Sequence, residues 1–70
     1  MDIKKKFGHK IKLLRTKEGW SQEVLAHKAN LDRTYVPGIE AGRRNVSIVV
    51  IEKLANAFDI EVTELMNFKK

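Results

Sequence analysis

Residues 22–41 read QEVLAHKANLDRTYVPGIEA, and this stretch decides the fold. Two helical segments are interrupted at Asn30, and Asn is among the non-glycine residues that best tolerate a positive φ. Small Ala26 lies where the two helices would cross, and a larger side chain there would push them apart. Val36 and Ile39 have the spacing that anchors the second helix onto a core. The stretch therefore predicts a helix-turn-helix whose second helix is presented outward.

Polar residues and glycines mark where the helices begin and end. Ser21 is placed to cap the first helix of the pair, and Ser47 is placed to cap a later helix. Asp32 can accept a hydrogen bond from the free N–H groups of the second helix of the pair, predicted over residues 33–41. Gly42 closes that helix, since glycine adopts the left-handed conformation at no steric cost.

Apolar stripes outside this stretch predict three more helices. The first helix carries Ile3, Phe7, Ile11 and Leu14 and ends at Gly19. The fourth buries Ile48, Ile51, Leu54, Ala55 and Phe58, and the last lies around residues 62–67, where Leu65 and Met66 close the core. We predict a compact all-α fold of five helices, forming a single domain over residues 1–70.

The composition excludes several classes of site. The chain has 70 residues, no cysteine and only two histidines, His9 and His27. A disulfide is therefore impossible, and a structural zinc site lacks a plausible ligand set. No nucleophile–base pair or carboxylate cluster converges. We expect neither a catalytic residue nor a metal, a cofactor or a small-molecule ligand.

Charge is distributed unevenly along the chain. Residues 1–44 hold eleven of the fourteen Lys and Arg against five acidic residues, whereas residues 45–70 hold three basic and four acidic residues. This asymmetry indicates a basic face for an anionic partner. The longest apolar run, residues 48–51, is far too short to cross a bilayer, so we expect a cytoplasmic protein.

The chain also resembles a known family. The segments GHKIKLLRTKEGWSQEVLAHKANLDRTY and GIEAGRRNVSIVVIEKLANAFDIEVTELM are similar to the Cro/C1-type (XRE-like) helix-turn-helix domains of bacteria and phages. The resemblance covers about residues 7–66 and implies a lambda-repressor-like fold. Within the family, LDRTY followed by GIE is most similar to the controller proteins of restriction–modification systems. The implied function is transcription regulation by a homodimer on a pseudo-palindromic operator in double-stranded DNA.

The resemblance also implies a role for particular residues. Arg33, Thr34 and Tyr35 would contact bases at the start of the third helix. Backbone contacts would come from Ser21, Gln22, Gly38, Arg43, Arg44 and Asn45. Arg15 and Glu40 match a family pair that forms an internal salt bridge. Residues 45–70 would supply the dimer contact through Val49, Val50 and Lys53, because Val49 and Val50 add apolar surface on a face where the family tends to carry polar residues.

Pro37 is the main departure from the family pattern. If the third helix begins at residue 33, Pro37 removes an internal hydrogen bond at a cost of roughly 3 kcal/mol. Either the helix continues with a kink, which we favour, or it ends after Val36 and Pro37–Gly38 forms a turn. Two alternative functions stay open: an antitoxin-like regulator, and a helical interaction module whose DNA reading is impaired by Pro37.

Overall fold

Five α-helices are present in residues 2–69, the part of the chain that the computed structural model describes. Met1 and Lys70, the two ends of the predicted domain, lie outside the described residues. The helices are α1 (Ile3–Glu18), α2 (Gln22–Lys28), α3 (Tyr35–Glu40), α4 (Ile48–Phe58) and α5 (Val62–Leu65). No strand occurs within the described range, so the predicted all-α, five-helix fold is confirmed.

The helix boundaries follow local capping chemistry. The Ser21 hydroxyl accepts a hydrogen bond from the backbone N–H of Val24 at 3.1 Å, and Ser47 does the same for Val50 at 3.1 Å. Both predicted caps are therefore present. Asn30 has a φ of 55°, as the predicted turn between α2 and α3 requires.

One hydrophobic core joins the helices. Its buried members include Phe7 and Ile11 of α1, together with Leu25, Ala26, Val36, Ile39, Leu54 and Leu65 from the other helices. The predicted burial of Ile3 and Ile48 is wrong, because each is the first residue of its helix and lies beyond the packed layer. Ile48 is 83% exposed, and Val50 of the same helix is buried instead.

The third helix begins two residues later than predicted. Asp32 accepts hydrogen bonds from the backbone N–H and the hydroxyl of Thr34, at 2.8 and 2.7 Å, which holds residues 33–34 in a turn. Helix α3 therefore begins at Tyr35, and Pro37 occupies its third position. A backbone N–H there would have no partner within the helix, so the proline removes no helical hydrogen bond.

Helix α3 continues through Pro37–Gly38 to Glu40. The continuation through Pro37 that we favour is confirmed, and the alternative in which α3 ends after Val36 is wrong. The carbonyl of Pro37 accepts the N–H of Ala41 at 3.0 Å, so the helical pattern persists beyond the proline. The continuous helix removes one way in which Pro37 could impair DNA reading, namely the early end of α3.

Close contacts fix α3 against α1. A Cβ atom added to Gly8 would collide with the carbonyl oxygen of Ile39 and lie 3.0 Å from that of Glu40. Gly8 therefore lets the backbone of α3 approach α1 more closely than any larger residue would allow. The position of α3 is set by backbone contact as well as by side chains.

Candidate nucleic-acid interface

Helices α2 and α3 form the predicted helix-turn-helix. The N–H of Leu31 donates to the carbonyl of Ala26 at 2.8 Å across the turn at Asn30. Ala26 is buried, and Val36 and Ile39 are buried on the inner side of α3. Burying such aliphatic side chains contributes about 2 kcal/mol each. The turn before α3 is left at the surface, and Tyr35, the first residue of α3, is half-buried.

Two of the predicted base-contacting residues, Arg33 and Thr34, are exposed in that turn. The Nη1 atom of Arg33 lies 3.8 Å from a carboxylate oxygen of Glu23 on α2. The Thr34 hydroxyl donates to Asp32, and this bond lowers the pKa of the Asp32 carboxyl. The Glu23 contact was not predicted, since sequence spacing alone does not bring the two residues together.

Tyr35, the third predicted base-contacting residue, is partly covered by Arg44. The guanidinium carbon of Arg44 lies 4.1 Å from the centroid of the Tyr35 ring, within cation–π distance. A Cβ atom on Gly38 would lie 3.0 Å from Cγ of Arg44. Because glycine has no side chain, the aliphatic part of Arg44 has room to pass over this position. Gly38 is buried beneath that stem, which argues against its predicted contact with DNA phosphate.

Arg15 and Glu40 form the internal pair that the resemblance implies. Nε and Nη2 of Arg15 donate to the two carboxylate oxygens of Glu40 at 2.6 and 3.0 Å. These bonds raise the pKa of the Arg15 guanidinium. The pair ties α1 to the last residue of α3, and the Glu40 side chain is only 5% exposed.

Gln22 is turned toward this pair. Its Nε2 atom donates to Glu40 at 3.0 Å, so the amide group is not directed freely outward as the predicted phosphate contact would suggest. Ser21, the other predicted backbone contact at this end of α2, is exposed while its hydroxyl caps the helix. Contacts of Ser21 and Gln22 with phosphate stay predictions.

The remaining predicted backbone contacts lie in the loop after α3. Arg43, Arg44 and Asn45 are all exposed. Lys5 lies beside this loop: a Cβ atom on Gly42 would lie 2.6 Å from Cγ of Lys5. The position of Lys5 depends on the packing of α1 against α3, and no local signal in the sequence reveals it.

The three predicted dimer residues lie in different environments. Val49 is 57% exposed, but Val50 is only 9% exposed and belongs to the core. The burial of Val50 argues against its predicted intermolecular contact, and the exposed apolar neighbour of Val49 is Ile48. Lys53 lies with its Nζ atom 3.4 Å from the carbonyl oxygen of Asn30, so it contacts the turn of the helix-turn-helix.

Two further observations concern metal binding and membrane spanning. Across residues 2–69, no group of three or more His, Cys, Asp or Glu residues could hold a metal ion. Within the same range, no helix has both the length and the apolar character needed to cross a membrane.

Comparison with known proteins gives consistent matches. A family model described as helix-turn-helix (HTH_3) matches residues 11–65. The crystal structure of the restriction–modification controller protein C.AhdI from Aeromonas hydrophila is 56% identical, with a TM-score of 0.85 over 89% of this chain and 94% of that one. The control protein C.MunI from a Mycoplasma species is 48% identical over 67 residues, which are 94% of this chain and 90% of the relative.

A third relative has been solved with DNA. The structure of C.Esp1396I bound to a 25-base-pair operator site is 35% identical, with a TM-score of 0.82 over 94% of this chain and 91% of that one. Another structure of C.Esp1396I contains its tetramer on the natural 35-base-pair operator. These relatives are control and controller proteins rather than enzymes, in agreement with the prediction that the chain has no catalytic site.

Proposed function

This chain belongs to the helix-turn-helix (HTH_3) family, and we propose that it is a sequence-specific transcription regulator of the restriction–modification controller type. One structural observation supports this most strongly. The turn before α3 presents Arg33 and Thr34 to solvent, while Val36 and Ile39 anchor the opposite side of the helix in the core. In a helix-turn-helix, the first residues of this second helix contact base edges in the major groove.

Arg33 is the residue best suited to discriminate between bases. An arginine can donate two hydrogen bonds to O6 and N7 of guanine, which is worth roughly 1–3 kcal/mol of discrimination. Thr34 can offer a methyl group or its hydroxyl to a neighbouring base. The exposed residues Arg43, Arg44 and Asn45 then supply contacts to phosphate, which position the protein without selecting sequence.

We further propose that the working form is a homodimer joined through the residue 45–70 part. Ile48 and Val49 are adjacent and exposed on the first turn of α4, although both are apolar. A two-fold contact through this surface would place two copies of α3 in successive major grooves, about 34 Å apart. A regulator of this kind acts in the compartment that holds its operator, which supports the expected cytoplasmic location.

Selection from a random library of duplex DNA tests the proposal. The protein should enrich a pseudo-palindromic sequence whose half-site centres are about 10 base pairs apart. The affinity for the selected duplex should fall steeply with salt, because each neutralised phosphate contributes a slope of about −0.9 to log K against log salt. Failure to enrich any sequence, together with no measurable binding at low salt, would contradict the proposal.

A further inference from the structure

A second basic element lies next to the loop that follows α3. The first turn of α1 contains Lys4, Lys5 and Lys6, all exposed. The Cα and Cγ atoms of Lys5 lie against Gly42, at 3.1 and 2.6 Å from the position that a Cβ atom there would occupy. Arg43 is the next residue along the chain, so the lysine side of α1 and the arginine loop form one continuous surface.

Lys4 extends this surface on the other side of the loop. It lines a shallow groove together with Arg44 and Asn45, between the first turn of α1 and the loop before α4. Asp2 is the acidic residue nearest in sequence. Its carboxylate caps α1 by accepting the N–H of Lys5 at 2.9 Å, so it is turned back onto the helix terminus.

No carboxylate of residues 2–69 forms an ion pair within 4.0 Å with the cationic groups of this surface. The carboxylates of residues 2–69 that form ion pairs within 4.0 Å do so with Arg15 and Arg33. Four cationic side chains therefore lie together beside the proposed reading helix with no such partner. Lys4 and Lys5 come from α1, and Arg43 and Arg44 come from the loop.

We propose that Lys4 and Lys5 bind the DNA backbone, so that the phosphate contact of this protein extends from the loop after α3 onto the first turn of α1. This inference rests on the proposed DNA-binding function, and it adds a second chain segment to the site. The chemistry is that of ammonium groups on phosphate, which increases affinity and salt dependence but does not select bases.

The test compares Lys5→Gln with Lys12→Gln in salt titrations against a random-sequence duplex of about 30 base pairs. Glutamine keeps the Cβ and Cγ atoms with which Lys5 contacts Gly42, so the packing is retained. Lys12 is an exposed lysine of the same helix and serves as the matched control. Circular dichroism and thermal unfolding of both variants verify that the fold is kept.

Removing one phosphate contact lowers the magnitude of the salt slope by about 0.9 per bound subunit. Between 50 and 200 mM salt, the wild-type affinity should therefore fall about 3.5-fold more than that of Lys5→Gln, per subunit. The double variant Lys4→Gln/Lys5→Gln should double the change in slope, Lys5→Arg should restore the wild-type slope, and Lys12→Gln should match the wild type.

Two results would overturn the inference while leaving the proposed function intact. One is a wild type that binds DNA with a slope that Lys5→Gln does not change. The other is an equal change of slope in Lys5→Gln and Lys12→Gln, which would indicate diffuse attraction to the whole basic surface. A wild type that does not bind duplex DNA at low salt would instead contradict the proposed function as well.

Discussion

Replacing Glu40 with alanine should destabilise the protein more than any other removal of a carboxylate from residues 2–69. Glu40 accepts hydrogen bonds from Arg15 at 2.6 and 3.0 Å and from Gln22 at 3.0 Å, and its side chain is 5% exposed. The substitution leaves the guanidinium of Arg15 largely buried without its counter-ion. Breaking a buried ion pair from one side costs about 3–5 kcal/mol.

That cost is large relative to the total stability. For 70 residues, the free energy of unfolding is roughly 3.5–10 kcal/mol. Urea unfolding can be followed by the fluorescence of Trp20, the only tryptophan, which stacks on Phe58 with ring centroids 5.5 Å apart. With a slope near 1 kcal/mol per molar urea, the midpoint should fall by about 3 M or more at equal protein concentration.

Two companion variants separate the loss of the buried pair from a general effect of charge. Glu23→Ala removes a carboxylate that is 74% exposed and 3.8 Å from Arg33, and it should cost under about 1 kcal/mol. Arg15→Met combined with Glu40→Leu should recover much of the loss, because no unpaired charge is left buried. If Glu40→Ala cost no more than Glu23→Ala, the reasoning from burial would be refuted.

Further predictions concern the backbone and the apolar surface. Pro37→Ser should lower the free energy of unfolding by at most about 1 kcal/mol in urea titration; a gain near 3 kcal/mol would show that the proline strains α3. Gly8→Ala should lower the melting temperature in calorimetry, since its Cβ collides with a carbonyl of α3, and an unchanged value would contradict that packing. Gly38→Ala should displace Arg44 from its ring partner while changing stability by less than about 1 kcal/mol; unchanged NMR shifts of the tyrosine ring would argue against the contact. Val49→Asp should yield a folded monomer in light scattering, and a mass equal to that of the wild type would contradict the proposed dimer surface.

Local chemistry explains why much of the fold was predictable from the sequence. Ser21 and Ser47 cap helices through hydrogen bonds to residues three positions away. Asn30 occupies the left-handed region because few other residues tolerate it. The period of Phe7 and Ile11 likewise places both side chains in the core. Each of these features depends on a short segment, so the segment alone indicates it.

The features that the sequence did not predict depend on side-chain hydrogen bonds that compete with helix formation, or on tertiary packing. The start of α3 was misplaced because the Asp32 side chain binds Thr34 and holds a turn where helical periodicity alone favours a helix. Ile48 was expected to be buried and Val50 to be exposed, but the structure shows the reverse. The face of α4 that is buried is set by the helices that pack against it. The approach of Arg44 to the Tyr35 ring needs the tertiary position of the loop, which no spacing in the sequence encodes.

The most direct test of the central claim, that the residues at the start of α3 read DNA sequence, is a comparison of wild-type protein with Arg33→Lys. Both proteins would be titrated against the selected operator and against a scrambled duplex of equal length and composition. Lysine keeps the positive charge but lacks the rigid planar fork with which arginine donates to both O6 and N7 of guanine. The affinity for the operator should fall by about 5- to 150-fold for each lost contact, corresponding to roughly 1–3 kcal/mol, while the affinity for the scrambled duplex stays unchanged. An equal loss on both duplexes, or no loss on either, would contradict the claim.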